Sequence, residues 1–257
     1  MWVYLRPLSH TSIHVGSPFV PRTIRLGLIL FFALLTAILY YCVQLSPFTT
    51  PEPLPLSAID TRVPFNPSWL WCTLYQSIYL VVPCIAISMR SSAELRQFWR
   101  GYTLILMIGV ASFIVWPITC PRPAFDPQHE NIGFRFIRSI DGMINCLPSL
   151  HVAFSLYSLA HVNKSPNRNR WLLAISAIYF ISLSYSTMAL KQHYALDVLM
   201  GTLTGTFGFF FSQGHLSSVA NLHCAYRFRP SSIEISGTNP QSDSAAEMSN
   251  VSERPNN

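Results

Sequence analysis

Residues 171–201 read WLLAISAIYFISLSYSTMALKQHYALDVLMG. An uncharged run from Trp171 to Leu190 meets a short polar knot, Lys191 to Asp197, and a second uncharged run starts at Val198. A spanning helix needs about 20 largely apolar residues, so this reads as two membrane crossings joined by a tight polar turn. The same pattern recurs upstream. Uncharged runs cover Leu26 to Pro51, Val63 to Met89, Gly101 to Pro121 and Gly142 to Asn163, and the last run, from Val198, reaches Tyr226. The expected fold is all-α, an integral membrane six-helix transmembrane bundle, with His151 and His161 interrupting the fourth span.

Composition agrees. Half of the 257 residues are hydrophobic and only 11% are charged, against about 25% charged in soluble domains. The first span is longer than the apolar region of a secretory signal and has no small-residue cleavage site after it, so a retained helix is expected. The net charge of +6 reads as topology and not as a nucleic-acid surface. Arg6, Arg22 and Arg25 precede the first span, and Arg90, Arg96 and Arg100 lie between the second and third. Lys164, Arg168 and Arg170 lie between the fourth and fifth, and Arg227, Arg229 and Arg254 follow the sixth. These segments hold 12 of the 17 basic residues, which by the positive-inside rule makes them and both termini cytoplasmic. The polar knot then faces the other side, the periplasm if the membrane is a bacterial inner membrane, as the compact layout suggests, and a lumen otherwise.

Three segments are expected: a cytoplasmic lead over 1–24, the membrane domain over 25–215, and a polar tail over 216–257 whose Ser, Asn, Pro and Glu content reads as disordered. Pro51, Pro53, Pro55, Pro64 and Pro67 make the first outer loop extended. The outer stretch from Pro121 to Leu147 is long enough for a short surface helix. Gly201 and Gly205 have small-xxx-small spacing, read as close packing between the fifth and sixth spans. The six cysteines have no zinc-site spacing. Cys120 and Cys146 bracket one outer loop, where a disulfide is one reading and two thiols the other.

The chemistry gathers at one membrane level. His193 and Asp197 have i, i+4 spacing, so on a helix the carboxylate fixes one imidazole nitrogen and leaves the other free to attack. An interfacial histidine beside a helix-start aspartate is the plainer reading of the same pair. Pro148-Ser149-Leu150-His151 suits a first helical turn, with Pro148 inside it. The free amides and positive dipole end there attract an anion; Ser149 adds a hydroxyl and His151 a proton donor. Arg122, between Pro121 and Pro123, is either a phosphate fork or a headgroup anchor. Lys191 is either a second phosphate contact or a snorkelling side chain. Together these residues suit phosphoryl transfer through a histidine.

PSLH, followed by S-x6-H-x3-D and preceded by Arg122-Pro123, resembles the type-2 phosphatidic acid phosphatase and haloperoxidase superfamily. Its blocks run roughly K-x6-R-P, P-S-G-H and S-R-x5-H-x3-D. The resemblance covers Arg122 to Gly201 and the six-span layout. It implies His193 as nucleophile, Asp197 as its orienting partner and His151 as general acid and base, all catalytic. It implies phosphate binding by Arg122, Ser149 and Lys191, with no metal and no cofactor. Val115, Leu150 and Thr187 stand where the blocks have Lys, Gly and Arg. Leu150, Thr187 in place of the arginine and the Gln192-His193-Tyr194 context look more like the inositol phosphorylceramide synthase branch. The expected function is therefore a lipid phosphatase working through a phosphohistidine. A lipid headgroup phosphotransferase is the first alternative, and a non-catalytic scaffold or transporter the second. Expected partners are a membrane lipid substrate and the bilayer; a homo-oligomer is compatible with the sequence.

Overall fold

The computed structural model describes residues 18–45, 50–124, 131–164 and 169–214. All belong to one compact unit, Met1–Ser218. The first 17 residues and the tail after residue 214 lie outside the described residues, so the readings of the lead and tail are not addressed by it.

Five helical stretches are long and apolar enough to cross a membrane. They are α1 (Arg22–Leu45), the pair α3 (Trp69–Gln76) and α4 (Ile78–Ser88), α5 (Ser92–Val115), α8 (Arg170–Ala189) and α9 (Ala195–Ser212). The expected fourth span is α7 (Leu150–Val162), of 13 residues. At 1.5 Å per residue it covers about 20 Å, short of a bilayer core of about 30 Å. The six expected crossings are thus represented by five helical stretches long enough to span and one shorter apolar helix. The physical reason is position. α7 packs against α4, α5, α8 and α9, and residues 145–149 before it are buried. Non-helical backbone is tolerated at membrane depth where protein surrounds it.

Local signals place the helix starts. Ser91 and Glu94 form a capping box that opens α5 nine residues before the expected Gly101, so Glu94, Arg96 and Arg100 belong to the helix. Reciprocal bonds of this kind satisfy two orphan backbone donors at once. Ser57 and Asp60 do the same for α2 (Ala58–Arg62), a short helix in the loop expected to be extended. Ser77 separates α3 from α4.

One end of the unit gathers the cation-rich segments. Phe19 bridges Ser91, Val20 N donates to Arg90 O at 2.9 Å, and Lys164 Nζ donates to Gln97 Oε1 at 2.5 Å. Buried Arg25 donates to the carbonyls of Ile87 and Met89, which anchors α1 to the end of α4. At the opposite end β1 (Glu52–Pro53) pairs in parallel with β2 (Ile118–Thr119), and Ile118 bridges Asn145. The outer stretch carries α6 (Ile132–Ile140), with Phe134 and Ile137 packed against Cys72, Tyr75 and Leu190.

α9 lies on α7 and α5. A Cβ on Gly201 would stand 2.5 Å from Ser149 O, and one on Gly205 2.5 Å from Ala153 O. The glycines thus fit α9 to α7. This corrects the expectation that they join the fifth and sixth; a tight turn already ties those two.

Candidate active site

The start of α7 is built from residues 148–151. Ser149 is the N-cap and Pro148 precedes it, so the proline lies outside the helix, two positions before the first helical residue where it was expected. Ser149 is fully buried. Its Oγ accepts from Val152 N at 3.4 Å, and its own N donates to Asp197 O at 3.2 Å. The hydroxyl thus caps the helix, and the backbone ties the start of α7 to the start of α9.

His151 follows in the first turn. Its ring stacks on Tyr75 with centroids 4.1 Å apart, and its Nε2 lies 3.2 Å from the Tyr79 hydroxyl. The His193 ring centroid is 5.9 Å from that of His151. His193 itself is buried and is not on a helix with Asp197. It precedes Tyr194, the N-cap of α9, and its N donates to Thr187 O at 3.1 Å. Lys191 at φ 52° turns the chain sharply enough to bring it there. The i, i+4 contact survives because the Asp197 carboxylate folds back over the helix start. Oδ2 lies 3.6 Å from His193 Nδ1, and accepts from Tyr194 N at 2.9 Å and from Cys120 Sγ at 3.1 Å.

Cys120 and Cys146 are both buried free thiols, so the disulfide reading is not realised. A hydrogen bond with Cys146, and then burial, push the Cys120 thiol up, which keeps it a donor to Asp197.

Arg122 and Lys191, read as phosphate cations, are engaged elsewhere. Arg122 donates to Asp141 O and Gly142 O, each at 2.7 Å. Lys191 Nζ donates to Asp60 O at 3.0 Å and Val63 O at 2.6 Å. A guanidinium fork across two successive carbonyls fixes the backbone between α6 and α7. In this arrangement neither side chain lines the cavity that holds the histidines.

That cavity, about 330 Å³, is lined at one end by His151, His193, Asp141 and Asn145 and otherwise by apolar and aromatic side chains of α1, α4, α5 and α7. Asp141 was not singled out in the sequence. It accepts from the hydroxyls of Tyr40 and Tyr75. Burial alone pushes its carboxyl up, but the His151 imidazole and the two hydroxyls outweigh that and hold it below the ordinary carboxylate value. The available signal was an isolated acid flanked by Ile140 and Met143–Ile144, ten residues before His151. Among so few acids, one in an apolar setting calls for a partner.

The arrangement places the His193 imidazole 3.6 Å from the Asp197 carboxylate, without a hydrogen bond, and the His151 ring 5.9 Å from it by centroids. A mostly apolar cavity leads away from both. No curated protein matches the chain at significance. The family model of the PAP2 superfamily matches residues 61–211, more than half of the chain, including Arg122, Asp141, His151, His193 and Asp197 but not the α1 wall of the cavity. The chain belongs to the PAP2 superfamily.

Proposed function

We propose that this protein is an integral membrane lipid phosphatase that cleaves a phosphate ester or diphosphate through a phosphohistidine on His193. The observation that carries the reading is the pairing of His193 with His151 at the polar end of an apolar cavity. A phosphate seated there leaves its hydrocarbon part inside the protein.

His193 Nδ1 faces Asp197, so the hydrogen resides on Nδ1 and the Nε2 lone pair attacks phosphorus. The bond from phosphorus to the lipid oxygen breaks, and that oxygen takes a proton from His151. Water then attacks the phosphohistidine while neutral His151 takes its proton. The N–P bond breaks, its electron pair returns to Nε2, and phosphate leaves. Asp197 stays ionised and stabilises the imidazolium character that develops on His193. Arg122 acts through the backbone of Asp141 and Gly142, a positioning role. No metal or cofactor enters the scheme.

A second reading is a lipid headgroup phosphotransferase of the inositol phosphorylceramide synthase type. Half-buried Leu150, in place of the block's glycine, and fully buried Thr187, in place of its arginine, favour it by resemblance, and Thr187 offers the phosphate no cation. The first half-reaction is shared; a lipid hydroxyl replaces water in the second. The site would face the periplasm of a bacterial inner membrane, or a lumen, with both termini cytoplasmic. Support comes from the gathering of Arg22, Arg25, Arg90, Arg96, Arg100, Lys164 and Arg170 at the opposite end.

The test is phosphate release in mixed micelles with chelator present, from phosphatidate and from a polyprenyl diphosphate, with and without an alcohol acceptor. Release without acceptor, lost in His193→Ala together with acid-labile phosphoenzyme, is expected. Product only with the acceptor assigns the transferase. Appreciable activity in His193→Ala sinks the nucleophile assignment.

A further inference from the structure

The cavity has a measurable shape. Ile29, Phe32, Thr36, Ala37 and Tyr40 line it from α1, a single stripe along one face of that helix. From Phe32 to Tyr40 is 8 residues, so the cavity runs about 12 Å along the α1 axis at 1.5 Å per residue. Its volume of about 330 Å³ lies at the lower bound of ligand pockets, roughly 300–1,000 Å³. That suits one chain of a lipid better than a whole two-chain lipid.

Its two ends differ. The outer end carries His151, His193, Asp141 and Asn145. The inner end is closed by Phe32 stacked on Trp99, with centroids 4.1 Å apart and planes 4° from parallel. Between them Thr36 and Tyr102 share a hydrogen bond of 2.8 Å, so those hydroxyls satisfy each other and leave the wall apolar. Tyr41 and Tyr79 line the cavity and are also exposed, so it opens sideways between α1 and α4. Three polar clasps hold α1 against the bundle along this opening: Arg25 to Ile87, Thr36 to Tyr102 and Tyr40 to Asp141.

We infer that this cavity receives one hydrocarbon chain of the phosphorylated substrate and measures its length, with the Phe32–Trp99 stack as the floor of the ruler. The inference rests on the reading of His193 and His151 as the phosphate end. Three extended backbone bonds span about 3.6 Å, so the roughly 12 Å above the floor accommodates about ten carbons. A second chain, where a lipid has one, stays outside between α1 and α4. Longer single chains must bend out through the same opening, so further carbons add no contact inside.

The experiment compares butyl, dodecyl and octadecyl phosphate with the full-length protein in micelles. kcat/KM is expected to rise by more than about tenfold from butyl to dodecyl, as buried methylenes contribute, and to gain nothing from dodecyl to octadecyl. Phe32→Ala opens the floor and should move the break, raising octadecyl over dodecyl by about tenfold. Equal kcat/KM for butyl and dodecyl, or a break unmoved in Phe32→Ala, overturns the inference. A binding arm is independent of turnover and of that variant. A dodecyl phosphonate with bromine at the chain terminus should quench tryptophan fluorescence, and Trp99→Phe should remove most of the quenching. Quenching by way of Trp99 in a protein that hydrolyses none of the phosphates upholds the cavity and removes the proposed reaction. Hydrolysis with no Trp99-dependent quenching upholds the reaction and removes the ruler.

Discussion

The Nδ1 of His193 stands 3.6 Å from Oδ2 of Asp197, and the same oxygen already accepts two hydrogen bonds, from Tyr194 N and Cys120 Sγ. One carboxylate oxygen therefore starts α9, holds a thiol and faces the imidazole. The other, Oδ1, is buried without a hydrogen-bond partner. A small ring rotation or carboxylate shift completes the histidine contact. Such contacts are often long in ligand-free sites and tighten with substrate.

Asp197→Asn tests that relationship. The amide keeps the volume but offers an N–H where the imidazole needs an acceptor, which selects the wrong tautomer. kcat should fall by about 10³- to 10⁴-fold, the scale seen when a triad carboxylate is made neutral. KM should change far less, and phosphoenzyme trapping should show slower formation. A fall in KM-determined affinity of the same size as in kcat would assign Asp197 to binding instead.

His151→Ala should separate leaving groups. An alkyl alkoxide needs its proton as the bond breaks, and general-acid catalysis contributes about 10²- to 10⁴-fold. A nitrophenolate leaves without help. Turnover of an alkyl phosphate should therefore collapse while a nitrophenyl phosphate loses little in the first half-reaction, read as a burst. Equal losses on both would count against the acid role.

Glycine substitutions in α9 should report on the seam with α7. In Gly205→Ala the new carbon meets Ala153 backbone, which has no rotamer to move. Overpacking of this kind costs about 1–3 kcal/mol, visible as a lower Tm in detergent. Gly27→Ala is the contrast, since a Cβ there meets nothing within 4 Å and helix propensity favours Ala by up to about 1 kcal/mol. Equal Tm changes at the two positions would show that the seam is not tightly packed.

Asp141 predicts a pH dependence. Its carboxyl is held below the ordinary value despite burial, by the His151 imidazole and the hydroxyls of Tyr40 and Tyr75. A depressed carboxylate stabilises the fold above the ordinary value, about 4, and loses that contribution as pH falls through its lowered folded value. Asp141→Asn should therefore have a lower Tm than the parent at pH 7, and the gap should shrink as pH falls below about 4. A gap that widens in acid would reverse the sign and refute the assignment.

Much of the site was legible in the sequence, because its elements are local. PSLH announces a helix start, and the spacing of His193 to Asp197 survives as a contact even though the histidine lies outside the helix. Uncharged runs locate crossings because hydrocarbon excludes charge. They mark boundaries poorly: α5 begins at Ser92 because a capping box and snorkelling arginines extend a helix past the apolar segment.

What local pattern could not show is set by packing between distant segments. Only the tertiary structure places α7, the short apolar helix, among α4, α5, α8 and α9. It also turns Arg122 and Lys191 onto carbonyls at 141–142 and 60–63, and brings Asp141 under Tyr40 and Tyr75, 101 and 66 residues away. A cation looks the same in sequence whether it holds a phosphate or a loop, because the choice depends on which acceptor the fold delivers. The sequence by itself determined the membrane class, the superfamily resemblance and the histidine pair. Tertiary structure decided the partners of every charge around that pair and shaped the cavity beneath it, since both arise from contacts between helices that no single stretch encodes.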